Sequence, residues 1–163
     1  MALQRIDKIV EKINDIKSLE EASGKLKVVN VAEIVNSTVD KYGEEAIFTL
    51  KTQDVFVEAN EALKSALDNI VSNAILHSQV NPVQITINLF TEGNECVIQI
   101  ADNGVGIPDE IKNKIFESGY SRKGGGLGLF LVKRIVEMFG GKITVRDNVP
   151  KGALFEIRLP LKS

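Results

Sequence analysis

Between Asn60 and Ser78 the chain sets Leu63, Ala66, Leu67, Ile70, Val71, Ala74 and Ile75 at the spacing of one helical face. An apolar stripe this wide has to be buried along its whole length, so the helix needs a broad apolar surface to lie on. The sequence supplies one directly afterwards. Asn81-Pro82 stops the helix, and Val83, Ile85, Ile87 and Leu89 then alternate with Gln84, Thr86 and Asn88 as a half-buried strand. Glu92-Gly93-Asn94 turns the chain into a second strand over residues 96–102. A helix seated on a sheet is therefore the centre of the fold.

The flanking segments extend this plan. Residues 2–21 read as a helix in which Ala2, Ile6, Ile9, Ile13 and Ile16 recur at alternating spacings of four and three. That stripe fits either a helix lying on its own domain or the end of a helical bundle. An extended entry over 25–30 precedes a helix over 31–42 carrying Val31, Ile34, Val35 and Val39 on one face, with Gly43 closing it. Residues 46–50 and 55–57 read as a pair of short strands around Thr52-Gln53-Asp54. A glycine-rich stretch over 103–128 is interrupted by a short helix at 109–116. An apolar helix follows over 126–139, with Gly140-Gly141 as its cap. The last elements form a hairpin, 142–146 and 153–160 around a turn at 147–152. The expected class is α+β: a two-layer α/β sandwich with a mixed, mostly antiparallel sheet covered on one face by helices.

Composition removes several function classes. The 163 residues suit one domain, and 44% hydrophobic with 26% charged residues suits a packed core. A net charge of −2 gives no basic footprint for nucleic acid. No apolar run approaches the ~20 residues of a membrane span, and the start carries no signal-peptide core, so a cytoplasmic setting without membrane contact by this domain is expected. Cys96 is the single cysteine and has no disulfide partner. His77 is the single histidine, which excludes any role needing two.

Three stretches carry candidate chemistry. Cys96, Ile98, Ile100 and Asp102 share one face of their strand, so Asp102 is directed toward the buried side and must find donors there. The following Asn103-Gly104-Val105-Gly106-Ile107-Pro108 lets backbone approach a ligand closely, although the same residues also suit an ordinary turn. A buried carboxylate beside an accessible loop can accept from an amino group such as that of adenine. Asn69, Asn73 and His77 line one side of the long helix at i, i+4 and i+8. Amide oxygens are neutral hard ligands suited to a Mg²⁺ that takes its charge compensation from phosphates, and solvated or core-satisfied asparagines are the plainer reading. Finally, Gly124-Gly125-Gly126-Leu127-Gly128-Leu129 stands directly before a helix, where exposed N–H groups and the helix N-terminus favour phosphate, with Arg122 and Lys123 just upstream. No Gly-Lys-Ser/Thr follows, so this is not a Walker A loop.

In this order and spacing the three stretches resemble the GHKL superfamily of gyrases, heat-shock chaperone ATPases, histidine kinases and mismatch-repair ATPases. The resemblance covers roughly residues 28–161 and is nearest to the sensor histidine kinase catalytic, ATP-binding domain. Leu67-Asp68-Asn69-Ile70-Val71-Ser72-Asn73-Ala74-Ile75-Leu76-His77-Ser78 is similar to the N box, and residues 102–107 to the G1 box. Ile115-Phe116-Glu117 resembles the F box, residues 119–123 the start of the ATP lid, and residues 124–129 the G2 box. Gly140-Gly141-Lys142-Ile143 and Gly152-Ala153-Leu154-Phe155 resemble the closing hairpin.

The resemblance implies the GHKL ATP-binding fold with ATP and Mg²⁺ as cofactors. It implies Asn69 and Asn73 as catalytic and metal-serving residues, Asp102 on the adenine amino group and His77 stacked near the ring. Gly104, Gly106, Ile107, Tyr120, Ser121, Arg122, Lys123, Gly124, Gly126, Leu127, Gly128 and Leu129 would complete the nucleotide contacts. The hydrolytic members carry a glutamate general base four residues before the metal-binding asparagine; here that position is Asn69, which implies phosphoryl transfer rather than hydrolysis. The acceptor would then be a histidine outside this chain, on a helical bundle of which residues 1–24 are a stub, with 25–163 as the catalytic domain. A response regulator receiver domain would act downstream. Three departures stand out: Leu76 where a basic residue is usual, Ala153 where Thr or Ser is usual, and only seven residues between Phe116 and the glycine run. They suit the alternative of a non-catalytic ATP-binding sensor or docking module of the same fold.

Overall fold

The computed structural model describes residues 2–117 and 128–162. Among these, the chain runs through α1 (Ala2–Ala22), β1 (Lys27–Asn30), α2 (Val31–Tyr42), β2 (Ile47–Lys51), β3 (Phe56–Ala59), α3 (Ala62–His77), β4 (Gln84–Glu92), β5 (Glu95–Asp102), α4 (Gly128–Met138), β6 (Lys142–Asp147) and β7 (Ala153–Pro160). Five strands form the main sheet in the order β2-β4-β5-β7-β6, with β2 parallel to β4 and every other pair antiparallel. The expected two-layer sandwich with a mixed, mostly antiparallel sheet is the observed architecture.

Period-two alternation sorts the sheet's side chains. Ile85, Ile87 and Leu89 of β4 stand opposite Asp102, Ile100 and Ile98 of β5. Ile98 and Ile100 in turn face Ile157 and Phe155 of β7. These residues join Leu63, Leu67, Ile70 and Val71 of α3 and Leu131, Val132, Ile135 and Val136 of α4 in one buried core. Each fully buried Leu or Ile here stabilises the fold by about 1.5–3 kcal/mol. The opposite face is polar: Glu156 accepts from Gln99 Nε2 at 2.9 Å and from Arg158 Nε at 2.9 Å. Burial alone would raise the Glu156 pKa, but these donors and the Arg158 and Arg146 charges hold it below the usual glutamate value.

Two local expectations are corrected. Residues 46–50 and 55–57 are not paired with each other. β2 adds to the sheet edge beside β4, with Phe48 and Leu50 opposite Ile85 and Ile87, whereas β3 pairs antiparallel with β1 in a separate ribbon. The apolar alternation of β2 continues the core face of β4, and that long-range match outweighs the local hairpin. The expected helix at 109–116 shortens to a single 3₁₀ turn, Asp109–Ile111, followed by turns. What anchors the segment is packing: Ile115 is buried, and the Phe116 ring meets Phe155 edge-on at 6.2 Å.

The N-terminal helix is docked at its C-terminal end. Asn60 Nδ2 donates to Glu21 O at 2.6 Å, and Ala22 is buried while Leu19 packs on the core. Farther up, Ile6, Ile9, Val10, Ile13 and Ile16 remain 48–56% exposed. No helix of the described residues is long and apolar enough to cross a membrane.

Candidate functional site

The site is built along the C-terminal half of α3. Asn69 and Asn73 are half-buried on one side of this helix. Asn69 Nδ2 donates back to Ser65 O at 2.9 Å, which fixes the amide and turns Oδ1 outward. The first residue of α4 lies against both: a Cβ on Gly128 would stand 3.5 Å from Asn73 Nδ2 and 3.7 Å from Asn69 Oδ1. An oriented neutral oxygen beside a helix N-terminus fits a magnesium phosphate group, since the metal takes oxygen ligands and the helix end attracts the anion. Leu129 follows, partly buried against the core.

Just past the last residue of α3, at Ser78, the chain meets the loop that follows β5. Asp102 is only 7% exposed, as its place on the core face of the strand dictates. Burial pushes its pKa above the usual aspartate value, against two backbone amides that favour the charged form. Those amides, Gly104 N at 2.8 Å and Ala153 N at 3.3 Å, both donate to Oδ1. No described residue donates to Oδ2, which is therefore the acceptor left for a ligand. Gly104 is required by contact, because a Cβ there would stand 3.0 Å from Asp102 Oδ1 and 3.0 Å from Ser78 Cα. That close approach joins the G1-like loop to the end of α3. His77 is half-buried on the last turn of α3, Gly106 lies in the same loop, and Ile107 packs on the core.

With a rise of about 1.5 Å per residue, Asn69 and Ser78 are about 13 Å apart along the helix axis. The asparagine pair and the buried carboxylate of β5 are thus separated by the length of about two and a half helical turns. Tyr120, Ser121, Arg122, Lys123, Gly124, Gly126 and Leu127 lie outside the described residues.

The nearest carboxylate to the asparagines is committed elsewhere. Asp68 accepts from Thr38 Oγ1 at 2.8 Å and pairs with Lys64 Nζ at 2.8 Å and Lys41 Nζ at 3.4 Å, which ties α3 to α2. Thr38 is fully buried, so this contact belongs to helix packing. Leu76, where the resemblance leads one to look for a basic residue, is 66% exposed.

Asn148 and Lys112 stand in no motif, and the motif glycine Gly152 gives no hint of its partner. Asn148 Nδ2 donates to the Asp102 carbonyl at 2.8 Å across 46 residues of sequence. Gly152, with φ +103°, lies so close to Asp102 that a Cβ would fall 1.9 Å from its carbonyl oxygen. Lys112 bridges Asp109 and Asp147, the latter at 2.8 Å. The glycine of the closing hairpin is the one sequence signal pointing at this turn; nothing local marks Asn148 or Lys112.

The profile of the family described as histidine kinase-, DNA gyrase B- and HSP90-like ATPase matches residues 58–163. The chain belongs to that family. Among its relatives, the sensor histidine kinase CitA of Klebsiella pneumoniae is 40% identical over 98 residues, which is 58% of this chain and 18% of CitA. The sensor histidine kinase DpiB of Escherichia coli (strain K12) is 37% identical over 99 residues, 58% of this chain and 18% of DpiB. The chain thus spans about a fifth of the length of these relatives. The catalytic domain of the histidine kinase ThkA superposes with a TM-score of 0.78 at 28% identity, covering 86% of this chain and 100% of that one. The resemblance to the ATP-binding domain of sensor histidine kinases is borne out by these matches, and ATP binding is the function they share with this chain's family.

Proposed function

We propose that this domain binds Mg·ATP along one side of α3 and transfers the γ-phosphate to a histidine outside this chain, as the catalytic domain of a two-component sensor histidine kinase. One observation carries the reading: the asparagine pair of α3 lies against the start of α4, and Asp102 of β5, whose Oδ2 accepts from no described residue, approaches the chain at the end of the same helix through Gly104. Asp102 accepts from the adenine amino group, with His77 and Ile107 beside the ring and Gly104 and Gly106 giving the base room. Asn69 and Asn73 would hold the metal with the triphosphate. Bound Mg²⁺ supplies charge neutralisation on the phosphates. Tyr120, Ser121, Arg122, Lys123, Gly124, Gly126 and Leu127, with Gly128 and Leu129 at the helix N-terminus, surround the phosphate chain.

An acceptor imidazole nitrogen then attacks the γ-phosphorus as the bond to ADP breaks, and catalysis comes from positioning and charge. Water is not the nucleophile, because among the described residues no carboxylate is placed to activate it: Asn69 occupies the glutamate position, and Asp68 is held by Thr38, Lys41 and Lys64. The exposed isoleucines of α1 support reading residues 1–24 as part of the acceptor bundle. A response regulator receiver domain takes the phosphoryl group next, in the cytoplasm, whether or not the whole protein is membrane-anchored.

A second reading, an ATP sensor or docking module without turnover, draws on the exposed Leu76 and on Ala153. Incubating the domain with γ-labelled ATP and a separate acceptor-histidine bundle distinguishes them. Label on the bundle's histidine is the expected result. Tight ATP binding without transfer selects the sensor, and steady phosphate release by the domain alone contradicts the reading of Asn69.

A further inference from the structure

The turn between β6 and β7, with the first residue of β7, makes several contacts with Asp102 and the residues after it. Asn148 Nδ2 donates to Asp102 O at 2.8 Å, Ala153 N donates to Asp102 Oδ1 at 3.3 Å, and Gly152 packs on the Asp102 carbonyl. Lys112 then pairs with Asp147 at 2.8 Å, closing the far side. The turn is itself braced, since Asn148 N donates to Gly152 O at 2.9 Å. Asn148 is the only member of this set whose side chain reaches the main chain of Asp102. Asn148 Nδ2 thus reaches the Asp102 carbonyl and Ala153 N its carboxylate, both from some 50 residues away in the chain.

We propose that Asn148 is a positioning residue for base selection: by holding the Asp102 peptide it fixes the angle at which Oδ2 meets the purine's 6-position. The inference rests on Asp102 as the adenine acceptor. A carboxylate accepts and does not donate, so it binds a 6-amino purine, gains nothing from a purine lacking that group and repels a 6-oxo purine. Selection of this kind needs a fixed oxygen, because a carboxylate free to swing away neither rewards nor rejects. Without the Asn148 donor, the Asp102 carbonyl is left to one side of the turn, and Oδ2 is held through Gly104 N and a long contact to Ala153 N alone.

The test measures Kd for ATP, GTP and purine riboside triphosphate by competition against a fluorescent nucleotide in wild type, Asn148→Ala and the isosteric Asn148→Asp, which lacks the donor. Wild type is expected to favour ATP over purine riboside triphosphate by at least tenfold. Both variants should compress that ratio to threefold or less, while inorganic tripolyphosphate with Mg²⁺ binds all three proteins equally. Lys112→Met, which removes the ion pair and keeps the Asn148 bond, should retain at least half of the wild-type ratio. A folded Asn148 variant with the full ratio overturns the proposal. Wild type that itself shows no preference for the amino group overturns the parent role of Asp102 instead. Side-chain amide resonances of Asn148 in the wild-type protein give a readout independent of variant folding: they should shift with ATP and stay fixed with tripolyphosphate. Resonances indifferent to both also overturn the proposal.

Discussion

Replacing Gly152 by alanine tests how tightly the β6–β7 turn is pressed onto the site. At φ +103° any side chain carries a backbone penalty of about 1–2 kcal/mol. The new Cβ would fall 1.9 Å from Asp102 O, 2.7 Å from its carbonyl carbon and 2.9 Å from Oδ1. Ordinary contact lies near 3.5 Å, so the turn must retreat by about 1.5 Å. Overpacking of this kind costs about 1–3 kcal/mol, which brings the total to roughly 2–5 kcal/mol. For a chain of this length that is a fall in Tm of about 5–15 °C.

The retreat also breaks the Ala153 N contact to Asp102 Oδ1, already 3.3 Å long. If the loss frees the carboxylate, ATP binding weakens by about 1.5–3 kcal/mol, roughly 10- to 150-fold. Thermal melting with and without Mg·ATP reads both effects. At a hundred times the wild-type Kd, ATP should stabilise the wild type by about 2.7 kcal/mol and Gly152→Ala by only about 0.3–1.4 kcal/mol. Gly141→Ala is the matched control. Its Cβ would meet Arg158 O at 2.2 Å at the opposite end of the same strand pair, so it should lower Tm and leave the ATP-induced rise intact. A Gly152→Ala protein melting within 2 °C of wild type with a full ATP response would refute the reasoning.

Two further outcomes are expected. ATP affinity should fall on acidification as Asp102 takes up a proton. Burial raises its folded pKa, so the loss begins above the pH at which an exposed aspartate titrates, near 3.9. The same shift means that ionised Asp102 costs native stability above its unfolded pKa, a cost relieved as pH falls through the folded value; Asp102→Asn should bind ATP more weakly at neutral pH and lose this pH dependence in both binding and melting. Asn73→Ala should abolish the enhancement of nucleotide binding by Mg²⁺ in a titration calorimeter while Tm stays within about 2 °C, the usual range for a half-buried polar side chain outside the packing core; a collapse of stability would make Asn73 structural.

The parts of this fold legible in sequence are those governed by short-range periodicity. The stripe from Leu63 to Ala74 and the alternation through Ile85 and Ile98 follow from backbone geometry, and Asp102 falls on the buried face by the same rule. Adjacency favours pairing β2 with β3, whereas the apolar match of Phe48 to Ile85 that decides the pairing spans 37 residues. The site divides the same way. Asn69, Asn73 and Asp102 announce themselves by spacing and facing. Gly152 stands in the closing-hairpin motif, but its contact with Asp102 and that of Asn148 form only once β7 lies beside β5, and neither partner can be read from spacing.

That strand order bears on how the protein is made. β7 fills the gap between β5 and β6, so a ribosome must release Ala153 and the residues after it before the sheet closes. Until then β5 has one bare edge, and the carboxylate of Asp102 lacks one of its two amide donors. A chain that stops short of Ala153 is therefore expected to bind ATP more weakly than one that includes β7.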